Sequence, residues 1–307
     1  MKNNNLASKW LILFSLLLVS QVIWAQDELL NTLEKQATPQ GPAYVSGTFK
    51  STRLINGHTI EMRNSQVLEF VISHRFGTLN SGAYQFFGLD QAYIRLGLDY
   101  GITNRLNVGI GRSSSQKVVD GFVKYKVLRQ SNGEKVMPVS LVLFASMAYS
   151  AENSADPAEN RPTVERLTYV YQALVARKIS QRISLQLMPT LIHRNFAKII
   201  TGPTNLFALG VGGRYKLTKR TALSAEYYYR FLPKETPGSY NSLAIGFDIE
   251  TGGHVFQLHL TNSQGMIEKA FVTETKGDFF KGDIHLGFNI SRSFNLGKKK
   301  VVPGSPW

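Results

Sequence analysis

Period-two alternation, repeated in run after run, is the feature that most restricts what this chain can fold into. Ile284, Leu286, Phe288 and Ile290 alternate with His285, Gly287, Asn289 and Ser291. Leu223, Ala225, Tyr227, Tyr229 and Phe231 alternate with Ser224, Glu226, Tyr228 and Arg230. Leu243 to Ile249 and Ile94 to Ile102 read the same way. Successive side chains of a strand point to opposite faces, so each run carries one apolar face and one face of charge and glycine. A helix would need a period of about 3.6 instead.

The connections between runs alternate as well. Short ones fall at Thr103-Asn104, Ser180-Gln181, Thr218-Lys219-Arg220 and Thr251-Gly252-Gly253, with a slightly longer one at 129–136. Long ones fall at 77–90, 150–166, 195–203, 232–238 and 263–282. Short turns on one side and long loops on the other mark an outer-membrane barrel. The runs predict strands at 66–76, 91–102, 105–113, 118–128, 137–149, 167–178, 183–194, 204–217, 221–232, 240–250, 254–262 and 283–296. The expected fold is therefore all-β: a single antiparallel transmembrane β-barrel of about twelve strands over 66–296.

An even count leaves both ends of the wall on the short-turn side. Residues 26–65 then lie outside the wall, as a short N-terminal periplasmic arm or plug. Within them Asn56-Gly57 marks a tight turn between two short β-prone runs over Tyr44 to Met62. A soluble sandwich, lectin or propeller binding sugar also alternates, but its strands are usually about 5–6 residues long.

Residues 1–25 read as a signal peptide: Lys2 and Lys9, an apolar stretch from Trp10 to Val19, then Ala25 before Gln26-Asp27. The apolar stretch is shorter than the roughly 20 residues of a spanning helix, so cleavage near Ala25 is expected. Of the 307 residues, 43% are apolar, a value suited to strands that are half polar. The chain has no cysteine, which excludes disulfides and thiolate metal sites.

The net charge is +14. Its basic residues gather on the short-turn side, at Arg105, Arg129, Lys135, Lys178, Arg182, Lys219 and Arg220, and in a basic tail over 297–307. Such a rim meets anionic phospholipid headgroups, and no aromatic-basic interleave points to nucleic acid. Following the alternation inward gives candidate lumen-lining residues: Glu69, Arg75, Arg95, Asp99, Lys124, Lys126, Arg214, Lys216, Glu226, Arg230, Asp248, His259 and His285. They form either an ion-pair network that fills a narrow barrel or a pore with a mild preference for anions.

Catalytic patterns are absent: there is no G-x-S-x-G, H-E-x-x-H or P-loop. The stretch His259-Leu260-Thr261-Asn262-Ser263 resembles the His-x-Ser-Asn-Gly stretch of outer-membrane phospholipase A. Thr261 stands where the serine nucleophile would be, and the alternation turns His259 and Thr261 inward. A lipid-active hydrolase using His259 and Thr261 is thus the enzymatic alternative, and the leading expectation is no enzyme. His259 and His285 lack a third convergent ligand, so neither metal nor cofactor is expected. His74 reads as a loop-anchoring residue.

Val71-Ile72-Ser73-His74-Arg75-Phe76-Gly77 and Gly253-His254-Val255-Phe256-Gln257-Leu258-His259-Leu260-Thr261-Asn262-Ser263 resemble characteristic stretches of an uncharacterised family of bacterial outer-membrane β-barrel proteins, a domain of unknown function. The similarity covers 45–296. It implies a barrel in the outer membrane of a double-membraned bacterium and supplies no activity or site. The expected function is a small-solute channel or a scaffold for periplasmic partners. The expected contacts are outer-membrane lipids, with a small solute or a periplasmic protein as ligand.

Overall fold

A computed structural model describes residues 42–133, 135–153, 162–196, 203–232 and 238–297. Residues 1–25, which the sequence reads as a signal peptide, residues 26–41 and nearly all of the basic tail lie outside the described residues. Twelve antiparallel strands close into one barrel. They are β1 (Val67–Thr78), β2 (Ala92–Gly101), β3 (Leu106–Ser113), β4 (Val118–Leu128), β5 (Ser140–Ser150), β6 (Leu167–Lys178), β7 (Ile183–Arg194), β8 (Asn205–Lys216), β9 (Thr221–Phe231), β10 (Ser242–Thr251), β11 (His254–Thr261) and β12 (His285–Asn295). Each pairs with its neighbours in the chain. The ring shuts where β12 meets β1, from Asn295↔Val67 to His285↔Thr78, with a bulge between His285 and Gly287.

Closure explains how the outer face can be so apolar. Leu96, Leu98, Leu185, Leu187, Ile245, Phe247 and Leu258 all point out of the wall and are exposed. In water such a surface would aggregate. In hydrocarbon it is favourable, provided that no strand edge is left unpaired. His74 belongs to this outer face. It stacks on Phe288 at 4.8 Å and 3° and leans on Phe76 at 4.4 Å. It is a wall residue at the β1–β12 joint, not a loop anchor.

Three of the short turns share one device. Thr103, Ser180 and Thr218 each accept, on the side-chain oxygen, the backbone N–H groups two and three residues on, at 3.0–3.2 Å. A short hydroxyl side chain satisfying local N–H groups is what lets a turn this tight face outward. Each turn then places an arginine at the same position: Arg105, Arg182 and Arg220. The 129–136 connection differs from its reading as a loop. It contains a short strand, Ser131–Gly133, paired with Pro42–Tyr44 in a separate two-stranded sheet.

The chain before β1 enters the lumen. Thr48 to Ile60, apart from Lys50, are among the most buried residues of the protein, with Leu54 and Ile55 at 1% exposure. The segment forms a hairpin: Leu54 N–H donates to the Gly57 carbonyl at 2.8 Å and Thr59 N–H to the Thr52 carbonyl at 2.9 Å. The Asn56-Gly57 turn is thus where the sequence places it. Glycine is needed there for room: a Cβ on Gly57 would lie 2.1 Å from the Tyr228 hydroxyl oxygen.

The opposite mouth is closed by the 262–284 loop, which folds inward and carries a short helix, α1 (Glu268–Thr273), with Phe271 and Val272 fully buried. Gly57→Leu is expected to lower the chemical-denaturation midpoint in detergent micelles, by about 1–3 kcal/mol of overpacking. A retained wild-type midpoint would show that the turn does not seat against Tyr228.

Candidate functional site

The lumen has two unlike halves. On β4–β9 the inward residues include Phe122, Val142, Phe144, Val170, Leu174, Met188, Ile192, Leu206, Ala208 and Tyr228, which form one apolar cluster. Along this cluster the strands are apolar on both faces, although each also carries inward polar residues beyond it. The rest of the inner wall is polar and charged, with Glu69, Arg75, Asp99, Glu226, Asp248, Gln257, His259 and Asn289 all buried.

The plug hairpin is amphipathic to match. Its Phe49, Leu54 and Ile60 join the apolar cluster, as do Phe271 and Val272 of α1. His58 packs between the rings of Phe122 and Phe144, at 4.6 and 4.4 Å. Burying these apolar groups contributes about 25 cal/mol per Å2.

On the polar side, wall side chains grip the plug mainly by its backbone. Glu226 accepts the N–H groups of Asn56 at 2.7 Å and Gly57 at 3.2 Å. Gln186 accepts from Ile60 N–H and donates to the His58 carbonyl. Lys124 donates to the carbonyls of Thr59 and Glu61, both at 2.8 Å. Gln257 donates to the carbonyls of Arg53 and Leu54, and Asn289 to that of Ile55. Arg214 holds the Gly47 carbonyl at 3.0 Å. Side-chain contacts add Arg53 to Asp99 at 2.9 Å, Thr52 to Glu69 at 2.8 Å and Arg75 to Asn56 at 2.7 Å. Lys50 pairs with Glu250 and donates to the Lys219 carbonyl.

Most of the expected lumen residues therefore fall into two groups. Arg75, Asp99, Lys124, Arg214 and Glu226 bind the plug. Arg95, Arg230, Asp248 and His285 bind other parts of the wall and rim. Arg95 Nε donates to Asp120 at 2.9 Å, Asp248 accepts from Ser224 and Gln257, Arg230 donates to Asn241 and Ser239, and His285 Nδ1 lies 2.8 Å from the Phe76 carbonyl. Lys126 sits half-buried at a bulge in β4, where Val127 is skipped between Lys126 and Leu128.

His259 is inward and fully buried, and neither ring nitrogen has a partner. Thr261 instead accepts from Ser263 N–H and Asn56. No hydrogen bond joins His259 to Thr261, so the nucleophile–base pair a hydrolase would need is not formed. Among the described residues no group of three His, Asp or Glu converges as a metal site would.

Sequence reading missed Arg53, Asp120, Gln186 and Gln257, and put Asn289 on a polar face without naming it among the lumen residues. Asp120 shares the parity of Lys124 on β4 and was legible. Arg53 lies on a hairpin whose position in the lumen no periodicity encodes. It also missed the apolar half-wall, although the continuous runs Leu141-Val142-Leu143-Phe144-Ala145 and Ala173-Leu174-Val175-Ala176 signal strands apolar on both faces.

Where plug and inward loop meet, Glu268 is buried beside Arg53, Arg95 and Asp120, with Oε1 unpartnered. Burial pushes its carboxyl up to about 7, against the pull of Arg53 and Arg95.

A family model described as a membrane-bound beta-barrel domain matches residues 49–294. No curated protein matches the chain. Among solved structures, a KdgM porin in complex with disordered oligogalacturonate is 11% identical, covering 74% of this chain and 99% of its own, at a TM-score of 0.45. The COG4313 outer membrane channel from Pseudomonas putida F1 is 13% identical, covering 76% and 97%, also at 0.45.

Removing the Glu226 carboxylate leaves two buried N–H groups unsatisfied, at about 1–3 kcal/mol each. Glu226→Ala is expected to speed hydrogen exchange over 47–63 while the wall amides keep their protection; unchanged exchange would show that the grip is elsewhere. Because the Glu268 pKa is raised on folding, the folded state binds the extra proton. Stability is full below about pH 4.5, the ordinary value, and falls as pH rises toward about 7. Glu268→Gln is expected to flatten that slope in thermal unfolding followed from pH 4 to pH 8, and an unaltered slope would assign it to another group.

Proposed function

The chain belongs to the family described as Membrane bound beta barrel domain (DUF5777), and on that premise we propose that this outer-membrane barrel is a non-enzymatic, plug-gated channel for small solutes. The observation that carries the reading is the nature of the plug's grip. Wall side chains of Glu226, Gln186, Lys124, Gln257, Asn289 and Arg214 hold main-chain atoms of 47–63. Each is a polar group that water or a polar solute can satisfy when the hairpin withdraws. A barrel built only as a filled strut would gain more from an apolar interior than from paired buried charge.

The opened wall would carry Arg75, Arg95, Lys124, Arg214 and Arg230 against Glu69, Asp99, Asp120, Glu226 and Asp248, with Lys126 and Lys216 adding positive charge toward the periplasmic end. This supports a mild preference for anions. The apolar half-wall on β4–β9 favours a solute that, like the plug, has one polar and one apolar face.

The test is planar-bilayer recording across a salt gradient. The full mature chain is expected to be silent. A chain lacking 27–65 is expected to conduct with a small anion-directed reversal potential, and Glu226→Ala to give brief openings. Silence from all three, each shown folded by heat-modifiable gel migration, would overturn the reading.

A further inference from the structure

The wall has an interruption that neither the plug nor the closure explains. Between β6 and β7 the pairing runs from Thr168↔Arg194 to Gln172↔Thr190, then resumes at Val175↔Leu187 without a change of register. The pairs Ala173–Pro189 and Leu174–Met188 are missing from the ladder. Pro189 is the cause, because it has no N–H to donate. The ladder on its other side is whole, through Leu209↔Pro189 and Gly210↔Met188, so the lost donor faced β6. Proline is ordinarily confined to sheet edges and bulges. Here it stands mid-strand, in a membrane interior where no water replaces the bond.

Over this seam the outer surface is concave. A groove of about 800 Å3 crosses the wall there. Its floor is made of small side chains, Ala145, Ala173 and Pro189, and its sides are the rings of Tyr125, Tyr171, Phe207 and Phe231, all exposed on the outer face apart from the half-buried alanines. No charged residue lines it. The register explains the shape. Tyr171 pairs with Leu191 and Leu191 with Phe207, so bulky residues form one row across the wall, while Ala173 and Pro189 fall in the next. Ala173 and Pro189 both lie near the middle of their strands, which sets the groove at the depth of the hydrocarbon core.

Depth and chemistry together select the occupant. Lipid headgroups, sugars and soluble ligands do not reach that level, and the lining holds no charged residue; its Gln172 and Thr190 are buried and bonded to each other at 2.9 Å, which leaves only the tyrosine hydroxyls as polar groups. We propose that the groove over the Pro189 seam binds an acyl chain of an outer-membrane lipid. Its methylenes fill the concavity and restore the contacts that a void beside Ala173 would forfeit. The rings of Tyr171 and Phe207 flank it. The site is separate from the lumen, although Leu174 and Met188, on the inner side of the same seam, belong to the cluster that packs Leu54 of the plug.

The experiment is native mass spectrometry of the full mature chain, released from detergent micelles doped with dipalmitoyl phosphatidylethanolamine. Ala173→Phe and Leu209→Trp fill the groove from two different strands. Ile110→Phe adds similar bulk to exposed outer wall on β3. The wild type and Ile110→Phe are expected to carry one bound lipid. Both groove variants are expected to lose it by about tenfold, the effect of excluding a few methylenes. Equal retention by the groove variants, equal loss in Ile110→Phe, a wild type without lipid, or a dimer in its place would each overturn the proposal.

Discussion

Hydrocarbon cannot hydrogen-bond a peptide group, and that constraint governs this protein. Among the described residues no helix is long and apolar enough to cross a membrane, so the wall must satisfy its backbone groups by pairing strands, and the pairing must return to its start. The β12–β1 joint accomplishes this, with Asn295 opposite Val67 and the remaining rungs following toward His285. Once the ring is shut, the outer face is free to be Leu, Ile, Phe and Tyr. The turns inherit the same demand at the aqueous rim, where Thr103, Ser180 and Thr218 accept the N–H groups that the strands no longer pair.

Closing the ring creates a second problem inside it. Twelve strands leave an interior that side chains alone do not uniformly fill, and half of that interior is apolar. An empty lumen would set Val142, Phe144, Leu174 and Met188 against water. The hairpin over 47–63 and helix α1 resolve this from opposite mouths. Both contribute apolar residues to the same cluster, while the polar half of the wall takes up the hairpin's backbone groups. The interior is thus organised like the core of a soluble domain, with one difference: the element that completes it is held by side-chain-to-backbone bonds that a polar solvent can replace.

The architecture was legible in the sequence to a fine grain. The alternation placed every wall strand to within a few residues, and parity kept the described residues 42–65 out of the wall. This is because period two is a property of the backbone, independent of what the strand packs against. Inward residues such as Arg75, Asp99, Lys124 and Glu226 followed from the same parity. Their partners did not. That Glu226 holds Asn56 and Gly57, or that Arg53 meets Asp99, depends on where a short hairpin with no strong period of its own comes to rest. His74 shows the limit from the other side. Its parity with Phe76 was visible, but its stacking on Phe288 needed the ring to close.

What the sequence by itself determined was the wall: strand count, register parity, the apolar exterior and the charged residues that face inward. These rest on local alternation, which each strand carries independently. What only the tertiary structure decided was the state of the lumen. Whether those inward charges line water or grip a plug is settled by a segment that precedes the first wall strand and by a loop before the last. Their places are set by shape and complementary polarity across the whole ring, and no local pattern encodes such long-range matching.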